Sequence, residues 1–127
     1  RSLAVTAFAG TDAAEALAAA NKRVANIVAK VREPIGEVNA ELLRESAEIA
    51  LSGALDRSRE CLAAAVADND FPEALNQLAL LRRDVDSFFD TVLVNAEDKT
   101  LRLNRLALLH ELRAQFLKVA DLAVLAR

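Results

Sequence analysis

The side chains best suited to chemistry in this sequence are basic and amide groups at helical spacing. Four of them occupy positions i, i+1, i+4 and i+8 of one predicted helix: Lys22, Arg23, Asn26 and Lys30. Lysine and arginine bind phosphate oxygens, and asparagine can also recognise a base edge through its paired donor and acceptor. The pattern therefore predicts a surface that contacts nucleic acid, with an ordinary solvated helix face as the alternative. Asn21 lies nearer the apolar side and is interpreted as structural.

A second group of basic residues lies in the last quarter of the sequence. On a helix with 100° between residues, Asn104, Arg105 and Lys118 fall at the edge or on the exposed side, so they are further candidates for contact with nucleic acid. Arg102 and Arg113 fall within the apolar arc of the same helix. Because an unpaired buried charge is strongly unfavourable, we expect both to be structural and paired with carboxylates. Four aspartates are available as partners: Asp84, Asp86, Asp90 and Asp98.

The sequence contains no recognisable catalytic or metal-binding pattern. The only histidine, His110, has no serine, cysteine or acid in a recognisable arrangement beside it, and no glycine-rich phosphate loop occurs. The single cysteine, Cys61, excludes an internal disulfide and is expected to be a small, buried or half-buried apolar residue. We therefore predict no catalytic residue and no metal site in this chain. Five glutamates at helical spacing are interpreted as a solvated acidic face: Glu33, Glu37, Glu41, Glu45 and Glu48.

The net charge of −3 argues against a nucleic-acid-binding chain, but its distribution does not. Residues 1–32 carry a net charge of +3, residues 33–98 carry −10 and residues 99–127 carry +4. If the helices that hold Lys22 and Lys118 pack side by side, their basic residues can merge into one positive surface. With no Trp or Tyr and five Phe, base recognition must depend mainly on arginine, lysine and asparagine.

Composition predicts an all-α fold, because alanine and leucine supply 48 of the 127 residues while glycine contributes three and proline two. Residues 90–98 are interpreted as a buried loop or a frayed helix end. The length fits one domain, residues 1–127, and the lack of methionine leads us to expect a piece of a longer protein. The predicted bundle of five or six helices comprises the end of a helix at residues 2–9 and helices at residues 12–30, 39–66, 70–89, 98–117 and 120–126.

Two segments in order carry a family resemblance. The first is Asn21-Lys22-Arg23-Val24-Ala25-Asn26, and the second runs from Phe88-Phe89-Asp90-Thr91-Val92 through Leu101-Arg102 to Val119-Ala120-Asp121-Leu122. In order and spacing they resemble the C-terminal region of bacterial glycyl-tRNA synthetase β subunits, a helical anticodon-binding domain of the DALR type. Where that motif reads Asp-Ala-Leu-Arg, this sequence reads Lys99-Thr100-Leu101-Arg102, with Asp98 displaced by one residue. The motif residues that we interpret as structural are Asp98, Leu101, Arg102 and Arg113.

The resemblance implies that the chain binds tRNA(Gly) at the anticodon as part of a glycine–tRNA ligase. It also implies that the parent enzyme uses ATP and Mg²⁺ and that an α subunit holds the catalytic site, so this chain would itself be non-catalytic and hold no cofactor. Two alternatives remain: the equivalent domain of an arginyl-tRNA synthetase, or a helical protein-interaction module that binds no RNA.

The sequence also leads us to expect a soluble, cytoplasmic protein. No apolar run approaches the roughly 18 residues that a membrane span needs, and the single cysteine fits a reducing compartment. We therefore expect contact with neither membrane nor DNA.

Overall fold

A computed structural model of the chain describes residues 12–125. The all-α class predicted from composition is confirmed for this range. The α-helices are α1 (Asp12–Ala29), α2 (Ser46–Ala67), α3 (Phe71–Ala79), α4 (Arg82–Thr91) and α5 (Lys99–Leu125), and a single 3-10 turn occurs at Ala40–Leu42. The helix expected at residues 2–9 lies outside the described residues.

The longest helix, α5, is the element around which the others pack. Its 27 residues extend about 40 Å at 1.5 Å per residue, and α1, α2 and α3 all lie against it. Leu109, Leu112, Val119 and Leu122 form a buried stripe along its length. The predicted interruption near residue 118 is wrong. No glycine or proline separates Leu117 from Ala120, so the helix continues without a break.

Helix α1 buries the apolar stripe that its sequence predicts. Leu17, Ala20 and Val24 are buried, and Ile27 and Val28 pack against the same core. The opposite face carries Lys22, Arg23 and Asn26, all of which are exposed. Because α1 lies against both α5 and α4, its orientation is fixed by contacts on two sides.

Helix α2 begins later than the sequence predicts. The helix expected from residue 39 is replaced by the 3-10 turn and an extended segment, and α2 itself starts at Ser46. Glu45 and Glu48 form a capping box there, in which the Glu48 carboxylate accepts from the backbone N–H of Glu45 at 2.8 Å. Gly53 lies inside this helix and does not interrupt it.

The predicted fourth helix is in fact two helices. The chain turns at Leu80 and Leu81, between α3 and α4, although neither residue is a helix breaker. The turn allows α3 to pack against α2 and α5 while α4 packs against α2 and α1. Leu81 is buried at the turn and Leu80 is exposed. Both helices lie against α1 and α2, but α3 also packs closely against α5, so the tertiary packing overrides the local preference for one continuous helix.

Residues 92–98 connect α4 to α5 as an irregular segment, which begins two residues later than the predicted 90–98 and is largely exposed rather than buried. Val92 and Ala96 are buried in it, whereas Leu93 is exposed. At its end, Asp98 caps α5: its carboxylate accepts from the backbone N–H groups of Thr100 at 2.8 Å and Leu101 at 3.2 Å. The motif aspartate, displaced by one residue, therefore starts the helix that carries the motif arginine. Leu101 is half-buried in the first turn.

Candidate nucleic-acid interface

The C-terminal half of α1 and the first turns of α5 enclose a cavity of about 640 Å³. We call it the α1–α5 cavity. Its volume lies in the range of about 300–1,000 Å³ that is usual for small-molecule sites. Its walls come from α1, the segment that follows α1, the α4–α5 connection and α5: Arg23, Asn26, Ile27, Lys30, Val31, Arg32, Glu33, Val94, Asn95, Arg102 and Leu106.

The lining of this cavity combines apolar and cationic groups. Ile27, Val31, Val94 and Leu106 supply apolar surface, and the only carboxylate among the lining residues is Glu33. Such a site suits a planar, uncharged ring attached to an anionic group. The cations in the lining are Arg23, Lys30, Arg32 and Arg102.

Arg23 is held in place by an aromatic ring. Its guanidinium carbon lies 4.4 Å from the centroid of the Phe89 ring, which is cation–π geometry. Phe89 is half-buried and meets the buried Phe88 edge to face at 5.8 Å. The ring thus restricts Arg23 while the residue stays exposed, and Arg23 keeps its N–H donors for a ligand.

Arg102, the arginine of the motif, is half-buried and reaches the cavity wall. Its Nη1 donates to the carbonyl oxygens of Ala96 at 3.0 Å and Glu97 at 3.4 Å. Its Nη2 lies 3.4 Å from Oε2 of Glu33, and the same oxygen lies 3.6 Å from Nζ of Lys99. The prediction of an aspartate partner is therefore wrong, because the carboxylate comes from the segment after α1.

Asn104 does not face solvent, and the prediction that it contacts RNA is wrong. Its side chain is buried, its Oδ1 accepts from the backbone N–H of Asn39 at 2.7 Å, and its Nδ2 donates to the carbonyl of Asn39 at 3.1 Å. The amide thus satisfies both backbone groups of one residue and fixes the segment between α1 and α2 on α5. Asn39 in turn caps the 3-10 turn by accepting from Glu41 N–H.

Arg105 is also buried, so its predicted RNA contact is wrong as well. Its Nε lies 3.0 Å from Oε2 of Glu48 and its Nη2 donates to Oε1 of Glu48 at 3.2 Å, while Nη1 donates to the carbonyl of Leu93 at 2.7 Å. Glu48 is fully buried, which contradicts its interpretation as part of a solvated acidic face. The pair joins α2 to α5 in the interior.

The ionisation of Glu48 is set by two opposing effects. Burial disfavours the carboxylate and raises its pKa, but hydrogen bonds from Arg105 and from the backbone N–H groups of Glu45 and Arg44 outweigh that effect. The pKa of Glu48 therefore lies below its ordinary value. The carboxylate stays charged and satisfied inside the bundle.

The other predicted residues lie elsewhere on the surface or at its edge. Lys22 and Lys118 are exposed and do not line the α1–α5 cavity. Arg113 is half-buried, and its Nε has no hydrogen-bond partner among residues 12–125, nor does a carboxylate pair with it there. Asn21 is half-buried, consistent with its structural interpretation. The basic residues of α1 and α5 thus converge at Arg23, Lys30 and Arg102.

Sequence reasoning missed several residues of the cavity. Arg32 follows α1 in a segment without helical periodicity, so no pattern drew attention to it. Val94 and Asn95 belong to the irregular α4–α5 connection, and Glu33 was assigned to a solvated face. The one available signal was the concentration of basic residues between positions 22 and 32.

No group of three or more metal-binding side chains occurs within the described residues, and no helix in that range is long and apolar enough to cross a membrane. His110 is exposed on α5. The polar groups that the cavity offers include the cations of Arg23, Lys30, Arg32 and Arg102 and the amides of Asn26 and Asn95.

The described residues form a helical domain with a cavity between α1 and α5 that is lined by cationic and apolar side chains. Residues 17–123 match the DALR anticodon binding domain family, so the chain belongs to that family.

Two relatives make the assignment more specific. The glycine–tRNA ligase beta subunit of Haemophilus influenzae is 52% identical over 122 residues, which cover 96% of this chain and 18% of that protein. The glycine–tRNA ligase beta subunit of Salmonella arizonae is 51% identical over 126 residues, covering 98% of this chain and 18% of the relative. The resemblance read from the sequence is confirmed, and these relatives support the glycyl alternative. The chain spans less than a fifth of their length.

Proposed function

We propose that this chain binds the anticodon loop of tRNA(Gly) at the α1–α5 cavity. The single observation that carries the proposal is that α1, with Arg23 and Lys30, and the motif residue Arg102 line one cavity in a member of an anticodon-binding family. Anticodon nucleotides are unpaired, and RNA recognition usually targets unpaired bases that can turn outward.

Each part of the cavity has a role in this proposal. Lys30 and Arg32 contact the phosphates, and the apolar wall receives a base. Arg23 is held over Phe89 at 4.4 Å, so its guanidinium offers a plane on which a base can stack. Asn26 is exposed beside it and supplies a donor and an acceptor for a base edge.

The parent protein that we propose is a glycine–tRNA ligase β subunit that works with an α subunit in the cytoplasm. The compartment fits the free thiol of Cys61, which is exposed and not buried as the sequence predicted. The parent enzyme would use ATP and Mg²⁺ to join glycine to tRNA, with those ligands held outside this chain. This domain would contribute affinity and selectivity, and no catalytic residue.

The test is a titration of the 127-residue chain with tRNA(Gly) and with the same tRNA carrying an altered anticodon, at several salt concentrations. We expect tighter binding to tRNA(Gly). Four cationic side chains line the cavity, so the slope of log K against log salt should be about −3, at about −0.7 per phosphate of a single strand. Absence of binding to either tRNA at low salt would refute the proposal and favour a protein-interaction module.

Paired variants locate the interface. Lys30→Gln should weaken binding to both tRNAs and reduce the salt slope by about 0.7 to 1. Arg83→Gln makes the same charge change on α4, where Arg83 is exposed and does not line the cavity, and should leave affinity unchanged. Asn26→Ala should reduce the preference for the cognate anticodon. Equal effects of Lys30→Gln and Arg83→Gln would show that the cavity is not the site.

A further inference from the structure

The carboxylate of Glu33 occupies an unusual position for an acid in a site for RNA. Its Oε2 lies 3.4 Å from Nη2 of Arg102 and 3.6 Å from Nζ of Lys99. Glu33 is itself the one carboxylate in a wall that also holds Arg23, Lys30 and Arg32. A single anionic oxygen between two cations is the arrangement that a phosphate oxygen would make at the same place.

Arg102 is positioned to bind a phosphate oxygen in place of the Glu33 carboxylate. Its Nη1 is fixed by the carbonyl oxygens of Ala96 and Glu97, so the guanidinium keeps its orientation whichever anion meets Nη2. The contact to Glu33, at 3.4 Å, is longer than the 2.7–2.9 Å of a strong charge-assisted hydrogen bond. A phosphate oxygen at the shorter distance would therefore make a stronger hydrogen bond to Arg102 than Glu33 does.

Glu33 can leave without disrupting a helix. It lies in the irregular segment after α1, it is half-buried, and Pro34 follows it. Downstream, the segment is anchored where Val38 packs against the core and Asn104 holds Asn39 on α5. Rotation of the Glu33 side chain therefore costs no helical hydrogen bond.

We propose that Glu33 takes the place of an RNA phosphate in the free protein, and that tRNA must displace it from Arg102 and Lys99 to bind. This inference rests on the proposed function and assigns Glu33 as a residue that lowers affinity. It prevents the cationic wall from holding any passing anion tightly, so that binding requires a ligand that also fills the cavity.

The experiment compares the affinity of three forms of the 127-residue chain for tRNA(Gly) at 0.15 M salt: wild type, Glu33→Gln and Glu41→Gln. Glu41 is exposed, makes no ion pair within residues 12–125 and does not line the α1–α5 cavity, so Glu41→Gln makes the same charge change outside the cavity. Remote charges are largely screened beyond about 8 Å at this ionic strength. We expect Glu33→Gln to bind about twofold to fivefold more tightly than wild type, which is the range for releasing a partly exposed ion pair, and Glu41→Gln to bind like wild type.

A second pair of variants ties the gain to Arg102. In an Arg102→Gln background, introduction of Glu33→Gln should raise affinity by less than it does in wild type, because one of the two released cations is gone. Circular dichroism would show that each variant is folded.

The outcomes separate the two proposals. If wild type fails to bind tRNA(Gly), the proposed function fails. If wild type binds but Glu33→Gln binds no more tightly than Glu41→Gln, or the gain is undiminished by Arg102→Gln, the role of Glu33 is overturned while the interface stands.

Discussion

Replacement of Arg105 by methionine will destabilise the bundle without removing a contact to RNA. Methionine keeps the apolar stem of the side chain but leaves Glu48 without its cation and the carbonyl of Leu93 without its donor. Arg105 is 6% exposed and Glu48 0% exposed. The variant therefore tests whether Arg105 stabilises the fold as the partner of Glu48 and does not contact RNA.

The expected magnitude follows from what remains around Glu48. Loss of one partner of a buried ion pair typically costs about 3–5 kcal/mol. Oε1 of Glu48 keeps the backbone N–H groups of Arg44 and Glu45, at 3.0 and 2.8 Å, so the stranded carboxylate stays partly satisfied. We expect the lower end of the range, about 3 kcal/mol, or roughly 10 °C in melting temperature for a chain of this length.

The assay is chemical denaturation followed by far-UV circular dichroism, because the chain has no Trp or Tyr for fluorescence. The matched control is Arg59→Met. Arg59 also joins α2 to α5, through Glu111 at 3.1 Å, and it pairs with Asp56 at 3.0 Å, but its side chain is 48% exposed. A surface pair of this kind contributes about 1 kcal/mol or less.

Two results would refute the reasoning. One is a loss of stability for Arg105→Met no larger than that for Arg59→Met, since the buried pair would then contribute no more than an exposed one. The other is weaker binding of tRNA(Gly) by Arg105→Met under conditions where the variant is fully folded, because this would indicate that Arg105 contacts the RNA.

Three further predictions concern stability and the segment that shapes the cavity. Because the pKa of Glu48 is lowered in the folded state, its charge stabilises the protein above the ordinary value of 4.5, and this contribution is lost as the pH falls through the lower folded value. Unfolding midpoints of wild type and Glu48→Gln should therefore converge on acidification, and a constant difference would contradict the shift. Asp98→Ala should cost about 0.5–2 kcal/mol by removing the N-cap of α5, whereas Asp121→Ala, an exposed site in the same helix, should cost less in the same denaturation assay. Asn104→Ala removes the acceptor of the Asn39 N–H. The backbone amide hydrogen of Asn39 should therefore exchange with solvent faster, as measured by NMR-detected hydrogen exchange. Unchanged protection of that hydrogen would mean that Asn104 is not needed to hold Asn39 on α5.

Features that depend on nearby residues were predictable from the sequence. The buried stripe of α1 at Leu17, Ala20 and Val24 follows from helical periodicity. The start of α3 is likewise local: Asp70 accepts from the N–H of Glu73 at 3.2 Å and Pro72 lies in the first turn. The family assignment also needed only residue order and spacing.

The predictions that failed depend on residues distant in the chain. Arg105 lies at a helix edge that periodicity alone leaves open to solvent, but the packing of α2 covers that edge and brings Glu48 to it. Asn104 is covered in the same way by Asn39. The break at Leu80 and Leu81 has no local cause in the sequence, and it accompanies the close packing of α3, but not of α4, against α5.

The sequence by itself determined that the chain is helical, which face of α1 is apolar, and to which family it belongs. Each of these properties depends on the types and spacing of residues close together in the chain. Only the tertiary structure decided which polar side chains reach a ligand. Exposure depends on what packs over a side chain, and for Asn104, Arg105 and Arg102 the covering or pairing groups come from segments more than fifty residues away in sequence.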